Sequence, residues 1–191
     1  MQDNIWYLSD TISYIGYEYV KSKGDDVLNK MLQIMDMKEE VIKENQLNSG
    51  GAQYLMKNVT SEFWYRVYTD CEQLFPQITH LNNLKKQQDP SHHEIQIWCA
   101  DMWAVLWGIW RLGIETKIDK KLNFTWANSA VAEWEINSLF HNAGVTDNKK
   151  MFFKGDYMHK LPYNEELTLS PYYASVHYYD LIKEVGRNIN C

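Results

Sequence analysis

Apolar residues recur at helical spacing along most of the chain and are interrupted by short polar or glycine-containing segments. Residues 11–23 predict a helix, with Ser9 or Asp10 as its cap. The alternative for the preceding residues 3–8 is a strand. Residues 25–42 continue the helical spacing, and several of their apolar side chains are methionines, which typically fill core space. A second helix is therefore expected over that segment.

A glycine-containing break at residues 48–51 separates this segment from a further ordered element at residues 52–56. Thr60 or Ser61 then caps another helix. The residues expected on its buried side are Phe63, Trp64, Val67, Leu74, Phe75 and Ile78. Residues 84–90 are polar and end in proline, which predicts a surface linker after the helix.

The clearest predicted helix begins at Ser91, where Ser91-His92-His93-Glu94 fits a capping box and Gly113 follows the last helical residue. Its apolar side chains form two stripes: Trp98, Met102, Val105 and Ile109, and Trp103, Trp107 and Trp110. A helix that is apolar around so much of its circumference is buried on more than one side.

Strand-like pieces follow within residues 114–126 and 138–154, including 139–140 and 151–153, and an amphipathic helix follows Pro171. The pattern therefore predicts an α+β fold that is predominantly helical with a few short strands. A length of 191 residues suits a single domain over the whole chain.

The net charge is −6, and the chain has no long run of lysine or arginine. Non-specific DNA binding rests on neutralising phosphates, so nucleic acid is not expected as the main partner. Eight tryptophans and thirteen tyrosines leave open a core, an interface or a platform for flat ligands such as sugars and bases. An enzyme that stacks nucleic-acid bases on aromatic side chains remains a weaker alternative.

The three cysteines, Cys71, Cys99 and Cys191, are far apart and form no C-x-x-C pair, which favours a reducing compartment. The start of the chain lacks the pattern of a signal peptide, so a cytoplasmic location is expected. The apolar segment 95–112 contains Asp101 and Arg111, which indicates a buried helix rather than a membrane span.

The segment from Phe140 onward combines a histidine, an amide, glycines and a lysine in a short window. His141 beside Asn142 is a candidate metal ligand, and the alternative is a histidine hydrogen-bonded at a strand end. Lys154-Gly155 would let an ammonium group and a backbone approach a phosphate together, although its spacing does not match a Walker loop. A turn with a surface lysine is the alternative for that pair.

Two further groups carry candidate chemistry. Gly50-Gly51-Ala52-Gln53-Tyr54 offers backbone and side-chain hydrogen bonds to a polyhydroxylated ligand, or is a plain loop before a helix. Asp101 lies within the tryptophan-rich helix, where a carboxylate is costly unless it is paired, metal-bound or exposed to a cleft. It is a candidate general base, with a salt bridge as the alternative.

Together these segments resemble the C-terminal part of a GT-A-type nucleotide-sugar glycosyltransferase. The residues behind the resemblance are Asp3 with Ile5-Trp6-Tyr7, the Gly50–Tyr54 segment, Asp101-Met102-Trp103, and His141-Asn142-Ala143-Gly144 followed by Lys154-Gly155. The resemblance implies a divalent metal, manganese or magnesium, with Asp3 and His141 as ligands. Enzymes of this type hold the metal on the nucleotide diphosphate with an Asp-x-Asp motif, and the similar segment here, Gln2-Asp3-Asn4, has a single acid, Asp3.

The resemblance further implies that Asp101 is catalytic and that the other matched positions bind substrate. These substrate-binding positions are Gly50, Gly51, Gln53, Tyr54, Trp103, Asn142, Gly144, Lys154 and Gly155. The expected partners are a nucleotide-sugar and an acceptor. Because the resemblance covers only a C-terminal part, a nucleotide-binding α/β half is expected in a longer chain or in a partner subunit. The alternative function is a non-catalytic helical module that binds a glycan or a protein through an aromatic surface.

Overall fold

A computed structural model describes residues 4–189 and divides the chain into two compact units, Met1–Lys120 and Lys121–Cys191. Each unit is described by itself below. Helices predominate in the described residues and the sheets are small, which agrees with the predicted α+β class. The resemblance to a GT-A fold and the assignment of a single domain stay predictions.

The first unit contains a three-stranded sheet in the order β2-β1-β3. The strands are β1 (Ile5–Asp10), β2 (Gly50–Leu55) and β3 (Glu115–Ile118). β1 pairs antiparallel with β2, in a register that places Asp10 opposite Gly50 and shifts after Leu8. β1 pairs parallel with β3, in a register that places Leu8 opposite Ile118. The carboxyl ends of β1 and β3 therefore lie at the same edge of the sheet as the start of β2.

The described part of the first unit also contains six α-helices: α1 (Ile12–Ile15), α2 (Tyr17–Lys21), α3 (Asp25–Met35), α4 (Glu39–Glu44), α5 (Ser61–Gln88) and α6 (Ala100–Arg111). Short 3-10 turns occur at Gln46–Asn48 and Ile97–Cys99, and another lies at the unit boundary, at Lys120–Leu122. α6 is buried from Met102 to Trp110, and Trp103 and Trp107 expose no surface. The prediction of a helix buried on more than one side is confirmed.

The helix predicted from Ser91 begins later, because residues 91–96 form no helix and α6 starts at Ala100. The hydroxyl of Ser91 donates to the Asp89 carboxylate at 2.6 Å instead of capping a helix. The side chain of Asn82 holds the backbone of Ile95 by accepting from its N–H at 3.3 Å and donating to its carbonyl at 3.0 Å. Side chains outside the segment thus occupy backbone groups that a helix would need.

The helix predicted after Thr60 is confirmed, since the Thr60 hydroxyl accepts from the Phe63 N–H at 3.3 Å. The linker predicted for residues 84–90 is wrong, because α5 continues to Gln88. Lysine and glutamine are good helix formers, and Lys85 also forms an ion pair of 2.7 Å with Asp26. Two aromatic residues of α5 that were expected to be buried, Trp64 and Phe75, are exposed.

At the amino-terminal end, the strand alternative is confirmed, because β1 covers Ile5–Asp10. The helix expected over residues 11–23 is two short helices that break at Gly16, whose backbone is extended. The helix expected over residues 25–42 also divides, because Asp36 adopts a left-handed conformation with a φ of 51°. The break expected at residues 48–51 ends earlier than predicted, since both glycines belong to β2.

The second unit contains a parallel pair of strands, β4 (Phe124–Trp126) and β5 (Leu139–His141), in which Trp126 lies opposite His141. Short 3-10 turns lie at Val131–Glu135, Lys154–Tyr157 and Pro162–Asn164, and α7 covers Ser175–Ile189. The strands predicted within 114–126 and at 139–140 are confirmed. The strand predicted at 151–153 is wrong, because the Phe152 N–H donates to the Ser175 hydroxyl at 2.8 Å.

Within residues 4–189, none of the helices has both the length and the apolar character that crossing a membrane requires.

Candidate functional site

The carboxyl end of β1 is crossed closely by the two glycines that begin β2. A Cβ on Gly50 would lie 2.5 Å from the Ser9 carbonyl oxygen, and a Cβ on Gly51 would lie 2.6 Å from the Cε of Met102. The buried Ser9 hydroxyl donates to the Gly51 carbonyl and accepts from the Gln53 N–H. The glycines are therefore required for close packing, and Ser9 fixes the backbone of the segment.

Tyr54 brings a phenol to the same place. Its hydroxyl oxygen lies 3.0 Å from the position that a Cβ of Gly51 would occupy. The oxygen is fully buried and has no partner with hydrogen-bond geometry, although the Ala52 N–H is near enough to act on it electrostatically. Burial, and next the charge of Asp101, raise the pKa of Tyr54, so the phenol keeps its proton at neutral pH.

Asp101 is exposed in the first turn of α6. A carboxylate is favoured at a helix N-terminus, which removes the cost that was expected for an acid inside a buried helix. Two thiols also lie within the electrostatic range of this carboxylate. Burial and then Asp101 raise the pKa of Cys99 to about 12 and that of Cys71 to about 11. Asp101 therefore lies among protonated phenol and thiol groups.

The sequence did not predict that Cys71, Cys99 and Tyr14 lie near Asp101 and Tyr54. Burial, followed by the charges of Cys99 and Asp10, raises the pKa of Tyr14 to about 12. In the sequence only the position of Cys99, two residues before Asp101, hints at this grouping. The other two residues arrive from α1 and α5, so their proximity depends on tertiary packing.

Trp103 lies in the core, although the resemblance implied that it binds substrate. It exposes no surface, its indole N–H donates to the Ile15 carbonyl at 3.0 Å, and its ring stacks on Tyr19. In this structure it supports the helix that carries Asp101 and has no surface to offer a ligand.

In the second unit, His141 ends β5 beside two aromatic rings that also contact each other. The ring centroids of Trp126 and Phe124 lie 5.1 and 5.4 Å from that of the imidazole, both in edge-on geometry. Burial, and next the positive charge of Lys154, lower the pKa of His141. The neutral imidazole is favoured, and this is the form that ligates metals. The structure thus brings His141 and Lys154 within electrostatic reach of each other.

The next residue, Asn142, has a side-chain amide whose two polar atoms are both buried without hydrogen bonds. Two residues later, Gly144 has a φ of 77°, and a Cβ there would lie 2.8 Å from the Asn128 side-chain oxygen. Buried unpaired polar groups are costly, so Asn142 is the strongest indication of a ligand position in this unit.

An open cavity of about 550 Å³ lies next along the chain and is lined by residues 145–149 and Phe153. Gly155 packs against the Phe153 ring, since a Cβ there would lie 2.6 Å from ring atoms. Lys154 and Gly155 are both exposed in the 3-10 turn Lys154–Tyr157. A charged group and an open cavity are therefore both present in this part of the second unit.

The predicted metal site is not assembled by the described residues. Within residues 4–189, no group of three or more histidine, cysteine, aspartate or glutamate side chains is arranged to hold a metal ion. Asp3, one of the two predicted ligands, lies outside the described residues. His141 remains as a single donor in its unit.

The candidate residues therefore fall into two sets. The first unit contains Gly50, Gly51, Gln53, Tyr54, Asp101 and the buried Trp103, whereas the second unit contains His141, Asn142, Gly144, Lys154 and Gly155. Comparison of the chain with models of protein families, with curated proteins and with solved structures finds no match.

Proposed function

We propose that the chain acts in sugar transfer from a nucleotide-sugar to an acceptor, as the resemblance of its motifs implies. The observation that supports this most is the grouping of Gly50, Gly51, Tyr54 and Asp101 at the carboxyl end of β1. In open sheets with parallel strands, ligands bind outside the carboxyl ends of the strands. A polar, closely packed corner in that position fits a hydroxyl-rich ligand.

Each residue of this corner has a chemical role in the proposal. Gly50 and Gly51 let β2 pack closely on Ser9 and Met102, which holds the protonated Tyr54 phenol at this corner as the donor to a sugar hydroxyl. Asp101 accepts the proton of the acceptor hydroxyl as that oxygen attacks the anomeric carbon. The new glycosidic C–O bond forms while the C–O bond to the diphosphate breaks, and the diphosphate leaves with the bonding electron pair.

The second unit, taken by itself, carries groups that suit phosphate oxygens. Lys154 offers a point charge for phosphate oxygens, and the unpaired amide of Asn142 offers a donor and an acceptor. The neutral imidazole of His141 fits a manganese or magnesium ion only as one ligand among several. The described residues do not complete a metal site, so the chemistry above contains no metal step. A partner subunit or further chain carrying a nucleotide-binding half remains part of the proposal.

Calorimetric titration of the chain with a panel of nucleotide-sugars, with and without manganese, tests this proposal. We expect saturable binding of at least one nucleotide-sugar that strengthens in the presence of manganese. Asp101→Asn should retain donor binding and lose transfer by about a hundredfold or more, since a general base contributes that much. Asp36→Asn is the matched control, because it changes an exposed carboxylate of the same unit at the end of α3. Absence of metal-dependent binding by the folded protein would contradict the proposal.

A second candidate function rests on the exposed aromatic residues of α5. Trp64, Tyr65, Tyr68 and Phe75 are between 46 and 70% exposed. Trp64, Tyr68 and Phe75 follow at intervals of four and seven residues, which places them on one face of the helix. Exposed aromatic faces of this kind bind sugar rings and protein partners. The candidate is a non-catalytic module that binds a glycan or a protein through this face.

Binding of Trp64→Ala and Tyr68→Ala variants to a glycan array and to partner proteins distinguishes this candidate. If α5 is the binding face, these variants lose binding while Asp101→Asn retains it. If the chain is a transferase whose aromatic face is not used, the α5 variants retain nucleotide-sugar binding.

A further inference from the structure

The first unit has an open cavity that has no role in the proposed function. Its volume is about 550 Å³, and residues 92–96 and Trp98 line it together with Tyr19, Lys23 and Lys86. We call this cavity the Lys23–Lys86 groove. Residues 92–96 on its wall are those for which the sequence predicted the first turns of a helix. These residues present their side chains from irregular backbone, whereas Tyr19 and Lys86 belong to α2 and α5.

The charge of the groove is opposite to that of the whole chain. Lys23 and Lys86 bring two cations, and Glu94 is the one acid among the lining residues. Glu94 lies 3.4 Å from the Lys86 ammonium, with both side chains largely exposed, so it holds this cation only weakly. The Lys23 ammonium lies 4.7 Å from the centroid of the Tyr19 ring. Among the lining residues two lysines thus outnumber one acid, in a chain of net charge −6, and the Asp89 carboxylate lies within electrostatic range of His92.

His92 adds a buried nitrogen without a partner. Its Nε2 atom has no exposed surface and no hydrogen bond. The backbone around it is fixed, because the His92 N–H donates to the Asp89 carbonyl at 2.9 Å. Because this atom has no exposed surface, it lies behind the wall of the groove and does not face a ligand there. The ammonium groups of Lys23 and Lys86 are the lining donors suited to phosphate oxygens.

The remaining walls are aromatic. Trp98 is 69% exposed and offers a flat apolar surface at one side of the groove. Tyr19 forms a rigid wall, since its hydroxyl accepts from the Gln96 N–H at 3.1 Å and its ring stacks on Trp103. Cations beside an exposed indole match a ligand that has a phosphate at one end and a ring at the other.

We propose that the Lys23–Lys86 groove binds a phosphate monoester attached to a ring, such as a nucleoside monophosphate or a sugar phosphate. Lys23 and Lys86 hold the phosphate, and the ring lies on Trp98. This site is separate from the corner at Gly50–Gly51, and it does not depend on the proposed sugar transfer.

The test is an NMR titration of the ¹⁵N-labelled full chain with four probes: inorganic phosphate, uridine monophosphate, glucose 1-phosphate and uridine. The indole N–H signal of Trp98 is identified by its loss in Trp98→Phe. We expect saturable shifts of this signal with one or both monoesters, weaker effects with inorganic phosphate and none with uridine. Comparison of the affinities for uridine monophosphate and glucose 1-phosphate shows whether the groove prefers a stacked base or a sugar ring beside the phosphate.

Lys23→Ala and Lys86→Ala should each weaken monoester binding about tenfold, as expected for loss of one charge-assisted contact. Lys38→Ala and Lys43→Ala remove exposed lysines of the same unit that do not line the groove, and they should leave binding unchanged. Thermal unfolding of each variant reports whether it is folded. The proposal is overturned if the monoesters cause no saturable shift, or if the control variants weaken binding as much as the groove variants.

Discussion

The unpaired hydroxyl of Tyr54 leads to a prediction about stability as well as function. The oxygen is buried without a hydrogen-bond partner, and an unsatisfied buried polar group costs about 1–3 kcal/mol. Tyr54→Phe removes this oxygen and keeps the ring. The side chain is half-buried, and the nearby Ala52 N–H partly compensates for the lost hydration of the oxygen. We therefore expect a gain in unfolding free energy at the low end of this range, about 1 kcal/mol.

For a chain of this length, such a gain raises the melting temperature by about 2–4 °C. Urea unfolding and differential scanning calorimetry measure the two quantities. The same variant should bind nucleotide-sugars more weakly, since the hydroxyl kept for the ligand is gone. Greater stability with weaker binding identifies a group that is retained for function.

Tyr17→Phe is the matched control in the same unit. The Tyr17 ring is also buried, but its hydroxyl donates to the Glu39 carboxylate at 2.7 Å. Removing this hydroxyl should lower stability, so the two tyrosine variants should differ in sign. A loss of stability in Tyr54→Phe comparable to that of Tyr17→Phe would refute the reasoning, because it would show that the Tyr54 hydroxyl has a partner in the protein.

Three further predictions concern packing, charge and pH. Gly50→Ala should cost about 2 kcal/mol of stability by urea unfolding, because the new methyl group meets the Ser9 backbone, which has little freedom to move. Asp70→Asn should cost about 3 kcal/mol, because it removes the buried carboxylate that Arg111 contacts at 3.1 Å. The lowered pKa of His141 means that the unfolded chain gains this proton first as pH falls. Stability should therefore decrease below the ordinary histidine pKa of about 6.5, and His141→Gln should reduce that decrease.

Each of these predictions has a result that contradicts it. Unchanged stability in Gly50→Ala would show that β2 moves away from Ser9. Arg66→Ala removes the more exposed partner of Asp70 and should cost less than 1 kcal/mol. A cost as large as that of Asp70→Asn would contradict the assignment of the buried charge pair to Arg111. Equal pH dependence in the wild type and His141→Gln would show that His141 titrates normally.

Local signals predicted the elements that depend on local contacts. Thr60 caps α5 as expected, because a threonine hydroxyl and an N–H three residues later meet without help from the rest of the fold. Ser91 fits a capping motif equally well, but Asp89 takes its hydroxyl and Asn82 takes the backbone of Ile95. No pattern within residues 91–94 distinguishes these two outcomes.

The misplaced helix start also changed the interpretation of Asp101. A start at Ser91 places this carboxylate well inside an apolar helix, where it would need a special partner. The observed start at Ala100 places it in the first turn, where a carboxylate is favoured and exposed. Its proximity to Tyr54 and Cys71 comes from packing between β2, α5 and α6, which no spacing in the sequence reveals.

The two glycines of β2 were singled out by the sequence, but the type of element that contains them was predicted incorrectly. Gly50-Gly51 was expected to break the chain, because glycine is unfavourable in strand interiors. In the fold they belong to a strand that passes closely over Ser9 and Met102, where a side chain would clash. The sequence predicted hydrogen bonds to a ligand or a plain loop at this segment, and the packing on Ser9 and Met102 depends on the tertiary fold.

The most direct test of sugar transfer is the release of nucleoside diphosphate from a panel of nucleotide-sugars, measured with manganese and a mixture of acceptors. We predict release from at least one donor by the wild type, loss of release after chelation of the metal, and a decrease of about a hundredfold or more in Asp101→Asn. Asp36→Asn should match the wild type. No release from any donor by the folded chain, or equal release by Asp101→Asn and the wild type, would contradict the assignment of Asp101 as the base of a sugar transferase.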